Sequence, residues 1–304
     1  MRIVSLLPAA TETVALLGRE DALVGVTHEC DWPPSVRTLG RVTRSAIDGT
    51  MAPGVVDRVV REASARGEAL FELDAARIRE LAPDVILTQA VCDVCAVSDT
   101  DVRAIAASMD RSPAVVTLSG TTLEGVLRDI ALVAEAIGVP DDGARAEAKL
   151  RGRMRAVRER VGPTARPRVA VIEWTDPLYT AGHWTPEIVD HAGGEDVVAR
   201  AGEHSRRIEA EALRRVEPDV LVLAPCGYDV ARAAAEGERL LAEDGWEWAR
   251  ARRVWAVDAN ALVSRPGPRL VDGIETFAAL LHPSLFPPPR AEQALELQGA
   301  LTTR

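Results

Sequence analysis

Short apolar, β-branched runs alternate along this chain with stretches of helical periodicity. That order predicts parallel strands, because a parallel neighbour is reached only through a long crossover, usually a helix. Residues 2–7, 22–27, 85–89 and 114–118 read as strands in the first half, and 168–173, 220–223 and 253–257 in the second. Helical spacing covers 53–66, 73–81, 100–109, 185–192, 209–216, 229–242 and 269–281. Thr11 is placed to cap a helix that runs to Leu17 and stops at Gly18. Leu123, Leu127, Ile130, Val133, Ala134 and Ile137 fall three and four apart, and after a break at Pro140 the helical pattern resumes, strongly charged, to Arg160.

A chain of 304 residues is too long for one ordinary core, so two lobes are expected. The fold class predicted is α/β: two Rossmann-like lobes with mostly parallel sheets, joined by a long helical linker. The boundaries read as 1–121 for the first lobe, 122–162 for the linker, 163–290 for the second lobe and 291–304 for a tail. The tail, entered through Pro287-Pro288-Pro289, is expected to add little to either core. Ligands of open parallel sheets bind outside the carboxyl ends of the strands, so a ligand cleft is expected where the two lobes turn those ends toward each other.

All four cysteines follow strand runs. Cys30 closes the second strand, Cys92 and Cys95 form a Cys-x-x-Cys after the run ending at Gln89, and Cys226 follows Val220–Leu223. Thiolates are the ligands that zinc and iron–sulfur clusters prefer, so the four are candidate metal ligands if they converge. The alternative for each lone cysteine is a small buried hydrophobe. Trp174, Tyr179, His183 and Trp184 cluster after the first strand of the second lobe and read as a pocket wall, with His183 available to a metal centre. Tyr228, two residues past Cys226, joins that set. Arg41 after Gly40, and Arg265 before Pro-Gly-Pro, sit on strand-end loops and suit carboxylate, amide or phosphate groups.

A net charge of −10 argues against nucleic acid as a partner, and no apolar run nears the ~20 residues that cross a bilayer. Met1-Arg2 leads straight into a five-residue apolar run, too short for a secretory leader, which predicts a cytoplasmic location. No Gly-x-Gly-x-x-Gly, phosphate loop or Gly-x-Ser-x-Gly elbow is present, and no acid–base pair stands out by spacing, so a non-catalytic role is expected.

Six motifs in order resemble the helical-backbone (class III) family of solute-binding proteins, which serve importers of cobalamin, haem and iron–siderophores. They are Ser5-Leu6-Leu7-Pro8-Ala9-Ala10-Thr11-Glu12, Cys30-Asp31-Trp32-Pro33-Pro34, Tyr179-Thr180-Ala181-Gly182, Ala192-Gly193-Gly194-Glu195-Asp196, Val257-Asp258-Ala259-Asn260 and Ser264 through Leu270. The resemblance spans residues 2–285 and implies a binding protein for a corrinoid or related metal chelate, with Trp32 among its contacts. It also implies docking on an ABC permease through Glu211, whose first-lobe counterpart falls on Ala76 beside Glu72 and Asp74. Glu29, Ser45, Gln89 and Ser205 stand where cobalamin binders of this family carry aromatic residues. The alternatives on the same scaffold are a cytoplasmic metalloprotein with a cysteine-ligated iron–sulfur cluster or zinc, and an enzyme derived from a binding protein.

Overall fold

The computed structural model describes residues 1–90 and 99–297, so Cys92 and Cys95 lie outside the described residues. The chain divides into two units, Met1–Lys149 and Leu150–Arg304.

In the first unit the elements run β1 (Ile3–Ser5), α1 (Pro8–Leu16), β2 (Leu23–Gly25), β3 (Thr43–Ser45), α2 (Pro53–Arg66), β4 (Phe71–Leu73), α3 (Ala75–Leu81), β5 (Val85–Gln89), α4 (Asp99–Ala107), β6 (Ala114–Leu118) and α5 (Leu123–Ala136). The sheet is parallel throughout, in the order β2-β1-β5-β6, and β3 and β4 form a separate antiparallel pair. Buried Ile3, Leu23, Val85 and Leu87 pack against Val14, Val133 and Ala134 on one face; Val4, Ile86, Ile78 and Val102 form the core of the other. Strands buried on both faces read as continuous apolar runs, and that made them visible in the sequence.

The start of α1 differs from expectation. Pro8, whose missing N–H suits the first helical position, opens the helix, and Thr11 is fully buried inside it. Other helices begin on side-chain caps: Asp74 accepts from the Arg77 N–H (2.9 Å) and Thr122 from the Gly125 N–H (3.1 Å). Beyond β6, buried Asp129 accepts from the N–H groups of Ser119 (3.1 Å) and Gly120 (2.8 Å), fixing the loop at that strand end. A Cβ on Gly120 would lie 2.6 Å from the backbone of Gly125, so only glycine allows the loop to close on the helix.

α6 (Pro140–Val161) carries the chain from one unit into the next, and the division falls inside it; α5 and the start of α6 pack in the first unit's core through Val133, Ala134 and Ala146. The second unit continues with β7 (Arg168–Thr175), β8 (Leu178–Thr180), α7 (Thr185–His191), β9 (Glu195–Asp196), α8 (Ala210–Arg215), β10 (Val220–Leu223), α9 (Val230–Ala242), β11 (Arg253–Val257), α10 (Ala259–Leu262), α11 (Leu270–Leu281) and β12 (Ala294–Leu297). Its strands lie in the order β12-β11-β10-β7-β8, with β9 also on β7; β7, β9, β10 and β11 are parallel, while β8 and β12 are antiparallel edges. Arg153 on α6 ties to Asp272 (2.5 Å) and Glu275 (2.8 Å) on α11.

The tail requires a correction. Residues 294–297 pair with β11 in register Val254↔Leu297 to Val257↔Ala294, and Leu297 is buried in the core with Leu223 and Ala234. Its alternation of buried and open positions is that of an edge strand with one face on the core. Leu297→Ala is expected to lower the unfolding free energy by about 2–4 kcal/mol in urea titration.

Asp196, at the end of β9, holds the following turn by accepting from the N–H groups of Val198 (2.9 Å) and Ala199 (2.8 Å). Burial pushes its carboxyl up to about 6. The folded chain therefore holds this proton at pH values where the unfolded chain has released it, and the group's contribution to stability falls as pH rises from 4 to 6. Asp196→Asn is expected to remove a decline of up to about 3 kcal/mol over that window, read by urea unfolding at stepped pH.

Candidate ligand-binding site

In the second unit three loops meet at the strand carboxyl ends. The first grows from β7. Ile172 pairs with Thr180 and Trp174 with Tyr179, so Glu173 is a one-residue bulge. The Glu173 carbonyl, turned out of the hairpin ladder, accepts the Cys226 N–H (3.0 Å) from the loop after β10. The Tyr228 carbonyl accepts the Asn260 N–H (3.1 Å), and the Gly227 N–H reaches Ser264 Oγ (3.4 Å), joining the loop after β11. Gly227 has φ +77°, a conformation costly for side-chain-bearing residues, and open space around its Cα.

On this scaffold Trp174, half-buried, meets the edge of the Tyr228 ring at 5.7 Å between centroids. The Arg232 guanidinium lies 3.6 Å from the Tyr228 centroid and donates to its hydroxyl (2.9 Å). Burial raises the Tyr228 phenol, which stays protonated at neutral pH. Burial also raises Asp258, the cap of α10, with Asp229 adding to the shift and Arg265 and Arg269 opposing it. The outcome is an indole braced by a phenol with a guanidinium stacked beneath, on loops that also carry buried Arg265 and half-buried Asp258: a surface for flat, apolar matter.

Several expected contacts are placed differently. Trp184 is only 6% exposed, and its indole N–H donates to the Val263 carbonyl (2.6 Å); it is a core residue, not a pocket wall. Tyr228 (4% exposed) acts as a support for Trp174 instead of an open contact, and Arg265 is likewise buried. Tyr179 is half-buried on β8 and bridges Arg207. Cys226 is exposed at the strand end. Glu211 lies on the surface at the start of α8 and is bonded by Arg214 (2.7 Å) and Arg215 (3.3 Å); the Arg214 hydrogen bond, chiefly, holds its carboxyl down to about 2.

His183 has φ +53°, rare for a side-chain-bearing residue. Its N–H donates to the Glu203 carbonyl (2.6 Å), and its carbonyl accepts the Gly202 N–H (2.8 Å). Gly182 permits this seam, since a Cβ there would sit 2.4 Å from the Ser205 nitrogen. The His183 ring lies 4.9 Å from that of His204, and burial holds it below the usual histidine range.

In the first unit the loop after β2 carries Trp32, 46% exposed. Arg41, expected to meet ligand, instead fixes this loop: its Nη1 donates to the carbonyls of Thr27 and Cys30, both at 2.9 Å. Cys30 is corrected too. It is 1% exposed in the first core, with its sulfur 3.1 Å from Thr11 Oγ1 and 3.1 Å from Thr27 Oγ1. Thr11 donates its own proton to Ser5 Oγ (2.8 Å), and Ser5 donates to the Leu7 carbonyl (2.9 Å). Cys30 is therefore a small core residue set between two hydroxyls, the alternative its sequence position left open. Among the described residues no three His, Cys, Asp or Glu side chains gather to hold a metal. His28, beside this loop, pairs through Nδ1 with Thr43 Oγ1 (2.7 Å) and stacks on Phe71 at 5.4 Å.

Sequence reasoning missed Arg232, His204 and Asp129. Tyr228 and Arg232 are four apart at a helix start, a spacing that was available; His204 and Asp129 meet their partners only through tertiary structure.

Two α/β units with loops of this kind at the strand carboxyl ends have the build of a solute-binding protein of the helical-backbone class. The profile of the periplasmic binding protein family matches residues 3–260, and the chain belongs to that family. It is 25% identical over 295 residues to an uncharacterized ABC transporter substrate-binding lipoprotein, YvrC, of Bacillus subtilis (94% of this chain, 81% of that one). It is 23% identical over 286 residues to the vitamin B12-binding protein of Vibrio cholerae (92% of this chain, 88% of that one). A periplasmic heme-binding protein of Pseudomonas aeruginosa has the same fold, with a TM-score of 0.72, 22% identity and 97% of each chain covered.

The hydroxyl–thiol chain predicts a graded response. Cys30→Ala leaves the Thr11 and Thr27 hydroxyls without their shared partner and is expected to cost about 1–3 kcal/mol in denaturant unfolding. Cys30→Ser, which can both donate and accept, is expected to cost less.

Proposed function

We propose that this chain is a non-catalytic binding protein for a metal chelate of tetrapyrrole size, a corrinoid such as cobalamin or the related haem. The observation that carries this reading is the Trp174–Tyr228–Arg232 stack, on one stitched group of strand-end loops that also carries Arg265 and Asp258. An indole face takes up an apolar macrocycle. The relatives support the reading, since one is described as binding vitamin B12 and a structural neighbour as binding heme.

Delivery to an ABC permease through Glu211 belongs to the same proposal and is supported by the transporter description of the Bacillus subtilis relative. The Glu211 carboxylate stays charged at any physiological pH, and its bonds to Arg214 and Arg215 would be exchanged for arginines of the permease. Calorimetric titration with cyanocobalamin and with haemin is the test. At least one is expected to bind with Kd of about 1 μM or tighter, with Trp174→Ala weakening it about tenfold. Absence of binding by both at about 100 μM overturns the reading.

A further inference from the structure

We propose that His183 and His204 form a two-imidazole site for a divalent transition-metal ion with a preference for nitrogen, such as zinc. The site lies wholly within the second unit and needs nothing from the macrocycle proposed above. Three observations carry it.

The first is an orphaned atom. His183 Nε2 is buried and has no hydrogen-bond partner. Buried polar atoms of side chains are nearly always satisfied, and an exception calls for a group that would satisfy it. The second is backbone strain. The chain holds a residue with a full side chain at φ +53°, fixed by hydrogen bonds on both sides of its peptide and by the close passage of Ser205 over Gly182. Such strain costs of order 1–3 kcal/mol and persists where the position of the side chain is over-determined. Here what it positions is an imidazole.

The third is the second imidazole. His204 comes from the strap that the His183 backbone holds in place, through Glu203 and Gly202. The two centroids are 4.9 Å apart, with the rings nearly perpendicular at 83°. With metal–nitrogen bonds of about 2.0–2.1 Å, two imidazoles on one ion at an angle near tetrahedral have centroids about 5 Å apart. His204 is exposed, so its ring turns at little cost, while His183 is fixed. Imidazole nitrogen suits zinc, copper and nickel, and the remaining coordination positions fall to water.

The Trp184 ring, 5.4 Å from His183, closes the inner side, and its N–H is committed to Val263. No other imidazole is placed against the pair: His28 pairs with Thr43, His191 with Arg158 and His282 with Gly193.

The test is a zinc chloride titration of the full chain labelled at histidine Cε1, followed by proton–carbon correlation spectra. Reading the imidazoles directly separates this site from any zinc taken by thiols. The His183 and His204 signals, assigned by single substitutions, are expected to shift together along one isotherm with a Kd of about 100 μM or tighter. His204→Ala, at an exposed position that leaves folding intact, is expected to weaken the His183 response at least about tenfold. Signals that stay in place at about 1 mM zinc, or a His183 response that His204→Ala leaves unchanged, overturn the proposal.

Discussion

The bulge at Glu173 is the feature on which the second unit's strand-end surface depends. Below it, Val169 to Ile172 are fully buried and β7 is paired on both sides, to β10 along four residues and to β9 and β8 on the other flank. Without the extra residue the hairpin ladder would continue and the Glu173 carbonyl would face β8. With it, that carbonyl takes the Cys226 N–H and Trp174 turns toward Tyr228. One inserted residue thus converts a regular edge into a platform tied to the next loop.

The first unit solves the same problem differently. Its loop after β2 has little regular structure of its own, and it is held by groups that a parallel sheet leaves available. The Arg41 guanidinium collects two carbonyls, and a chain of hydroxyls links Thr27 through Cys30 and Thr11 to Ser5 at the end of β1. Residues that suggested ligand chemistry by type, a cysteine and an arginine, prove to be parts of the support. Side-chain type signals that a group has a task; burial and partners decide which.

Much of the fold was legible because its strands are buried on both faces. Val220–Leu223 and Val85–Gln89 read as strands without ambiguity. β3 and β4 were not legible: Thr43–Ser45 and Phe71–Leu73 are three residues each and half open, too short for a period to declare itself. β12 was obscured by the prolines before it, although Ala294-Leu295-Glu296-Leu297 does alternate. At the candidate site, the aromatic cluster 174–184 marks the loop after β7 but not which of its rings is buried. Trp174 and Trp184 look alike in sequence and each donates its indole N–H to a backbone carbonyl; only the depth of burial distinguishes them. The pairing of His183 with His204 had no sequence signal, since a backbone seam between two loops creates it.

The central claim is that the three stitched loops of the second unit receive the ligand. Hydrogen–deuterium exchange with and without cyanocobalamin tests it most directly. Slowed exchange in segments 173–179, 226–232 and 258–267 is the predicted footprint. Binding that leaves those segments unchanged and slows instead the polar pocket of about 330 Å³ beside Arg168, Asp196 and Arg206, at the opposite end of β7, would contradict it.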